Sequence, residues 1–77
     1  MAQVKIDKEI AEDLLTSKLR ILQEYINSIL TRWKESSTKF FLEKAHIGEY
    51  ENAEEDAVEL RQLLFDYSKF QELLNDL

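Results

Sequence analysis

Large apolar side chains recur every three or four positions through the first half of this chain. Residues at that spacing share one side of an α-helix, so the pattern predicts a helix with one apolar face. The strict alternation of fours and threes over nearly three heptads is typical of helices that pack lengthwise against another helix. The alternating positions are Leu15, Leu19, Leu22, Ile26, Ile29 and Trp33.

A second set of apolar residues flanks this seam and widens it. One partner helix cannot cover so broad a face, so we expect neighbours on more than one side. The flanking positions are Ile10, Leu14, Ile21, Tyr25 and Leu30.

The chain has no proline and a single glycine, Gly48, which favours long helices over sheets and tight hairpins. Asp7 is suited to cap the start of the first helix, and residues 36–38, Ser-Ser-Thr, favour a break and a new cap. Gly48 is the natural left-handed residue at the end of a second helix. Asn52 and Glu55 have the spacing of a capping box, which predicts the start of a third.

We therefore predict an all-α fold in which a long helix, a short helix and a long helix form a hairpin. Residues 1–77 form a single domain, with an extended segment at 1–6 and helices at 7–34, 38–47 and 53–76. Residues 3–6 alternate polar and apolar, so they could pair as a strand with a symmetry mate or form an extended terminus. The third helix carries its own apolar seam at Ala57, Leu60, Leu64, Tyr67 and Leu74, with a second row at Leu63, Phe70 and Leu77.

Each of the two long helices has a wider apolar face than the other helix can cover. A homodimer with a four-helix core would bury the surplus. The residues expected in the core or dimer interface are Leu15, Leu19, Leu22, Ile26, Ile29, Trp33, Leu60, Leu64, Tyr67 and Leu74.

Residue types that carry chemistry are scarce. There is no cysteine and only one histidine, so disulfides and thiolate sites are impossible. The sequence has neither a G-x-S-x-G turn nor a glycine-rich phosphate loop. We expect neither enzyme activity nor a bound cofactor. No apolar run is long enough for a membrane span and the first residues lack a signal-peptide core, so we expect a cytoplasmic protein.

Glu43 and His46 are three residues apart on the second helix, the spacing of one half of a di-metal site in ferritin-like proteins. The same spacing is frequent by chance in charged helices, and a histidine in the last turn complements the helix dipole. We expect the pair to lie on the surface and to hold no metal.

Charge divides the chain into two unequal halves. Residues 1–39 contain seven basic and six acidic side chains, a net charge of +1, whereas residues 40–77 contain three and ten, a net of −7. The acidic second half repels the phosphate backbones of nucleic acids and suits a basic protein partner. Nucleic acid is therefore disfavoured as a ligand. The acidic patch expected to bind that partner consists of Glu49, Glu51, Glu54, Glu55, Asp56 and Glu59.

Residues 4–12, VKIDKEIAE, resemble the opening of many small prokaryotic antitoxins, in which a short V-x-I strand leads into a helix. In ribbon-helix-helix members two such strands pair and contact an operator, but their first helix ends after about a dozen residues. Here the apolar period continues to Trp33, which argues against DNA contact through Gln3 and Lys5. Residues 36–49 and 52–60 resemble small archaeal helical proteins of antitoxin type. That resemblance implies an acidic protein that masks a basic toxin.

These features predict a non-catalytic protein–protein interaction module, with an antitoxin-like role as one form of it. A self-assembling structural protein is the main alternative. A metal-binding helical dimer and a DNA-binding regulator rank below both.

Overall fold

The computed structural model of the chain describes residues 7–77, which form three helices and, within that range, no strand. Helix α1 spans Lys8–Arg32, α2 spans Thr38–His46 and α3 spans Glu54–Asn75. The predicted all-α order of long, short and long helices is confirmed, with bounds within two residues of those expected. The possible strand at residues 3–6 lies outside the described residues.

The start of α1 and both ends of α2 follow the predicted capping chemistry. The Asp7 carboxylate accepts a hydrogen bond of 2.8 Å from the backbone N–H of Glu9. The Ser37 hydroxyl accepts one of 3.4 Å from the N–H of Phe40. Gly48 ends α2 with a left-handed φ of 78°, and the next N–H, of Glu49, donates to the Lys44 carbonyl at 2.9 Å. This bond satisfies a carbonyl that the helix end would leave unpaired.

Helix α1 ends in the same way, but without a glycine. Lys34 takes a left-handed φ of 55°, and Glu35 N–H donates to the Leu30 carbonyl at 2.9 Å. The left-handed residue stops the helix before residue 34, the predicted end.

The predicted capping box at the start of α3 is wrong. Asn52 adopts a left-handed φ of 59°, Ala53 occupies the N-cap position, and no side chain accepts a hydrogen bond there. Asparagine tolerates this backbone region better than most residues, and the turn places Ala53, 1% exposed, inside the core. Asn52 therefore forms the turn that reverses the chain and does not cap α3.

The long helices lie antiparallel. Lys18 contacts Phe70 and Arg32 contacts Asp56, and the residue numbers in each pair add up to 88. Helix α2 packs against α3 at the end where the chain turns, which we call the closed end. The core there consists of Ile26, Ile29, Phe41, Ala53, Ala57 and Leu60.

The opposite end of the hairpin, which we call the open end, has only two helices. Among residues 7–77, no hydrophobic side chain before Leu22 or after Leu60 is fully buried. The molecule measures 51 × 24 × 16 Å and its radius of gyration is 15.9 Å. A compact domain of this length would have a radius of gyration of roughly 11–12 Å. The hairpin is thus elongated and leaves much of its apolar surface uncovered.

Candidate interaction surfaces

Three aromatic rings hold the closed end together. Trp33 at the end of α1 lies 5.7 Å from Phe41 of α2 and 5.2 Å from Tyr50 in the following loop, measured between ring centroids. Phe41 and Tyr50 are stacked at 5.8 Å. Phe41 has no exposed surface, so the cluster fixes α2 against the helix pair.

Asp56 ties α3 to this cluster. Its carboxylate accepts a hydrogen bond of 2.7 Å from the Trp33 indole Nε1–H and further bonds of 2.8 and 2.9 Å from the Arg32 guanidinium. The Trp33 hydrogen bond, aided by Arg32, lowers the pKa of the Asp56 carboxyl although partial burial opposes the shift. This predicted member of the acidic patch is therefore occupied within the chain.

Glu35, Lys44 and Tyr50 form a second polar group beside the rings. Lys44 Nζ donates to Glu35 at 3.0 Å and lies 5.7 Å from the Tyr50 ring centroid. Hydrogen bonding to Lys44 lowers the pKa of the Glu35 carboxyl, and the same bond raises the pKa of Lys44. Desolvation raises the pKa of the Tyr50 hydroxyl. These shifts come from local packing contacts and need no ligand.

The other five predicted patch residues are exposed, and within residues 7–77 none of them forms an ion pair. Three of them border a shallow depression around Val58, which is 64% exposed. An apolar side chain ringed by carboxylates is a feature that a basic partner could cover. The five are Glu49, Glu51, Glu54, Glu55 and Glu59.

None of the predicted core and dimer residues is exposed. Leu22, Ile26, Ile29 and Leu60 are buried within the single chain, and the others are half-buried: Leu15, Leu19, Trp33, Leu64, Tyr67 and Leu74. The seam that the sequence marks most clearly is thus used mainly between α1 and α3.

Four of the five flanking positions remain exposed and form what we call the α1 stripe, whereas the fifth, Leu30, is half-buried against the core. Its members, separated by 4, 7 and 4 residues, share one side of the helix. The stripe consists of Ile10, Leu14, Ile21 and Tyr25.

A second row, the α3 stripe, consists of the half-buried Leu63 and Phe70 on α3 and the exposed Leu77, two residues past the end of that helix. The Lys18 ammonium, within the span of the α1 stripe, lies 5.9 Å from the Phe70 ring centroid. Both stripes therefore lie on the same side of the hairpin. We call that side the open face.

Helix α2 covers the opposite side. Ala45 of α2 and Ala57 of α3 line a common groove with a volume of about 390 Å³. At 100° per residue, Ala57 lies about 140° around α3 from Phe70. The open face is consequently free of α2 along its whole length.

Glu43 and His46 are both exposed on α2. In the part of the chain that the structure describes, no group of three or more His, Asp or Glu side chains could hold a metal ion. None of the described helices is both long enough and apolar enough to cross a membrane.

No protein-family model matches the chain, and no significant similarity is found to a curated protein or to a solved structure. The resemblance to antitoxins stays a prediction.

Sequence reasoning named Trp33 and the flanking apolar positions, but it missed two features of the site. Asp56 stabilises the fold through its hydrogen bonds to Arg32 and Trp33. Its position in a run of acidic residues gave no indication of this role. The symmetric spacing of the α1 stripe was visible in the sequence, but its significance depends on knowing which side of the hairpin α2 leaves open.

Proposed function

We propose that this chain is a non-catalytic protein–protein interaction module that works as a homodimer of helical hairpins with a four-helix core. The observation that carries the proposal is the open face, where large apolar side chains stay exposed beside a core already filled from the other side. Leu14, for example, is 60% exposed and Tyr25 is 57% exposed. Contiguous apolar surface of this kind marks interaction sites in monomeric chains.

The surface area of the chain supports self-association. A compact monomer of this mass would expose roughly 4,900 Å². This chain exposes 6264 Å². The excess, about 1,300 Å², is larger than the roughly 800 Å² that each partner buries in a standard interface.

Light scattering over a range of concentrations tests the proposal. The unmodified chain should have twice the mass of one copy, and Leu14→Lys should raise the dimer dissociation constant roughly 100-fold because it places unpaired charge in the interface. Val58→Lys is the matched control, since Val58 is equally exposed but lies outside both stripes. A monomeric unmodified chain, or equal effects of the two lysines, would contradict the proposal.

A second candidate function, antitoxin-like neutralisation of a basic protein, is favoured by five exposed glutamates that form no ion pair among residues 7–77, three of which border the depression around Val58. Like-signed carboxylates in one area attract a basic surface and speed its association. Asp56 takes no part in this proposal because Arg32 and Trp33 occupy it.

Co-purification from the native host tests this second function. A basic companion should be recovered with the unmodified chain at low salt, and lost with a variant that combines Glu→Gln changes at residues 51, 54, 55 and 59. The same four changes should leave the mass of the homodimer unaltered. Recovery of the homodimer alone, or of a companion that the glutamine variant also retains, would count against it.

A further inference from the structure

We propose that the second copy of the chain packs antiparallel on the open face, related by a two-fold axis that passes near Ser17 on α1 and Phe70 on α3. The inference rests on the proposed self-association and adds the face, the orientation and the pairs of residues in contact.

The α1 stripe is symmetric about its own centre. Its spacing of 4, 7 and 4 residues is the same in both directions, and the centre falls between residues 17 and 18. An antiparallel copy would therefore set Ile10 against Tyr25 of the second copy and Leu14 against Ile21. Every apolar side chain of the stripe meets another one, as an interface with two-fold symmetry requires.

The α3 stripe has its centre at Phe70, so an antiparallel copy sets Phe70 against its own counterpart. The half-buried Leu63 then lies toward Leu77 of the second copy, which follows the end of α3 at Asn75. The contact between Lys18 and Phe70 places the centres of both stripes at the same level of the hairpin. A single two-fold axis therefore relates the two copies of α1 and also the two copies of α3. Two unrelated apolar rows would not share one axis.

The centre of the interface is suited to close approach. Ser17, three residues after Leu14 and four before Ile21, lies on the same side as the stripe and has a small side chain. The longer Lys18 side chain extends over the Phe70 ring of its own chain. Small residues at a crossing allow helices to approach closely.

Cysteine cross-linking tests the arrangement, and the chain has no native cysteine to interfere. Ser17→Cys should oxidise readily to a disulfide-linked dimer because the two copies of residue 17 flank the axis, within the roughly 7 Å between Cα atoms that a disulfide needs. Ser68→Cys is the matched control: residue 68 lies about 160° around α3 from Phe70 and should stay uncross-linked. Cross-linking through residue 68 but not 17 in a dimeric chain would overturn the inference.

Mixing two charged variants gives a second readout. Leu14→Lys and Ile21→Glu should each weaken self-association, but a mixture of the two single variants should form a heterodimer. In it, the basic side chain introduced at position 14 of one copy faces the acidic side chain introduced at position 21 of the other. Leu14→Lys mixed with Tyr25→Glu should show no such rescue, because residues 14 and 25 do not face each other. Circular dichroism of each variant verifies that it is folded.

The outcomes separate the two proposals. A dimeric unmodified chain without rescue, and without a residue 17 cross-link, retains the proposed function and overturns the antiparallel arrangement. A monomeric unmodified chain overturns both. Rescue together with the residue 17 cross-link supports both.

Discussion

The indole Nε1–H of Trp33 donates a hydrogen bond of 2.7 Å to the Oδ2 atom of Asp56. The bond joins the end of α1 to the first turn of α3, two elements that are 23 residues apart in the chain. Arg32 adds two contacts to the same carboxylate, but its side chain is 60% exposed, so solvent weakens its share. Trp33 also contacts Phe41 and Tyr50, so one side chain links the two long helices to α2.

Asp56→Asn should lower the free energy of unfolding by about 1–2 kcal/mol, because the hydrogen bonds from Trp33 and Arg32 lose the charge of their acceptor. Urea titration followed by circular dichroism measures the change. Glu55→Gln is the control, since this neighbouring carboxylate is exposed and forms no ion pair within residues 7–77, and it should change stability by less than about 0.5 kcal/mol. Equal effects of the two changes would show that the Asp56 contacts do not stabilise the fold.

Stability should fall in acid as Asp56 becomes protonated. Its folded-state pKa lies below the usual value of 3.8, so between the two values the unfolded chain binds more protons than the folded one. The free energy of unfolding therefore rises with pH through that window, and the contribution is complete above it. Urea titrations of the unmodified chain and Asp56→Asn, from neutral pH to well below 3.8, should converge at the acid end. A constant difference would contradict this assignment.

Lys34→Gly should stabilise the chain by about 0.5–1 kcal/mol. Lys34 holds a left-handed φ of 55°, which costs a residue with a Cβ atom more than glycine, although glycine also gains entropy when unfolded. Lys34→Ala removes the charge but keeps the strain, so it should give no comparable gain. Thermal unfolding distinguishes the two, and equal shifts in midpoint would assign the effect to charge.

Gly48→Ala should act in the opposite direction, with a loss of about 1 kcal/mol. Gly48 has a φ of 78°, and an added Cβ atom would meet no other atom within 4 Å. The cost is therefore one of backbone conformation, without a steric clash. A loss much greater than this would indicate that the loop after α2 has shifted.

Leu60→Ala should cost about 2–5 kcal/mol, because the Leu60 side chain is fully buried between the helices and its removal leaves a cavity. Val58→Ala, two residues away on the exposed side of the same helix, should cost less than about 0.5 kcal/mol. Chemical denaturation at a fixed protein concentration measures both. A small loss for Leu60→Ala would place the core elsewhere.

Local chemistry determined most of the helical framework. The alternation of apolar residues from Leu15 to Trp33 predicted α1. Asp7 and Ser37 cap the starts of α1 and α2, and Gly48 takes the left-handed conformation that ends α2, as their chemistry predicts. Such signals are readable because they involve residues no more than about five positions apart, within a single turn of helix or its end.

The tertiary structure decided the features that depend on distant neighbours. Asn52 has the spacing of a capping residue but forms the chain reversal, because Ala53 must enter the core. Asp56 lies in an acidic run but faces Trp33, because the two long helices are antiparallel and bring those positions to the same level.

The sequence by itself determined the number, order and approximate ends of the helices, together with the two rows of apolar residues on each long helix. Only the tertiary structure decided that the row from Leu15 to Trp33 lies inside the hairpin, whereas the flanking residues Ile10 to Tyr25 of α1 stay exposed. Periodicity places residues around one helix axis, but it does not specify where a neighbouring helix lies. The packing of α1 against α3 buries the first row of α1, and α2 covers the other side of the closed end, so the stripe of Ile10 to Tyr25 stays exposed.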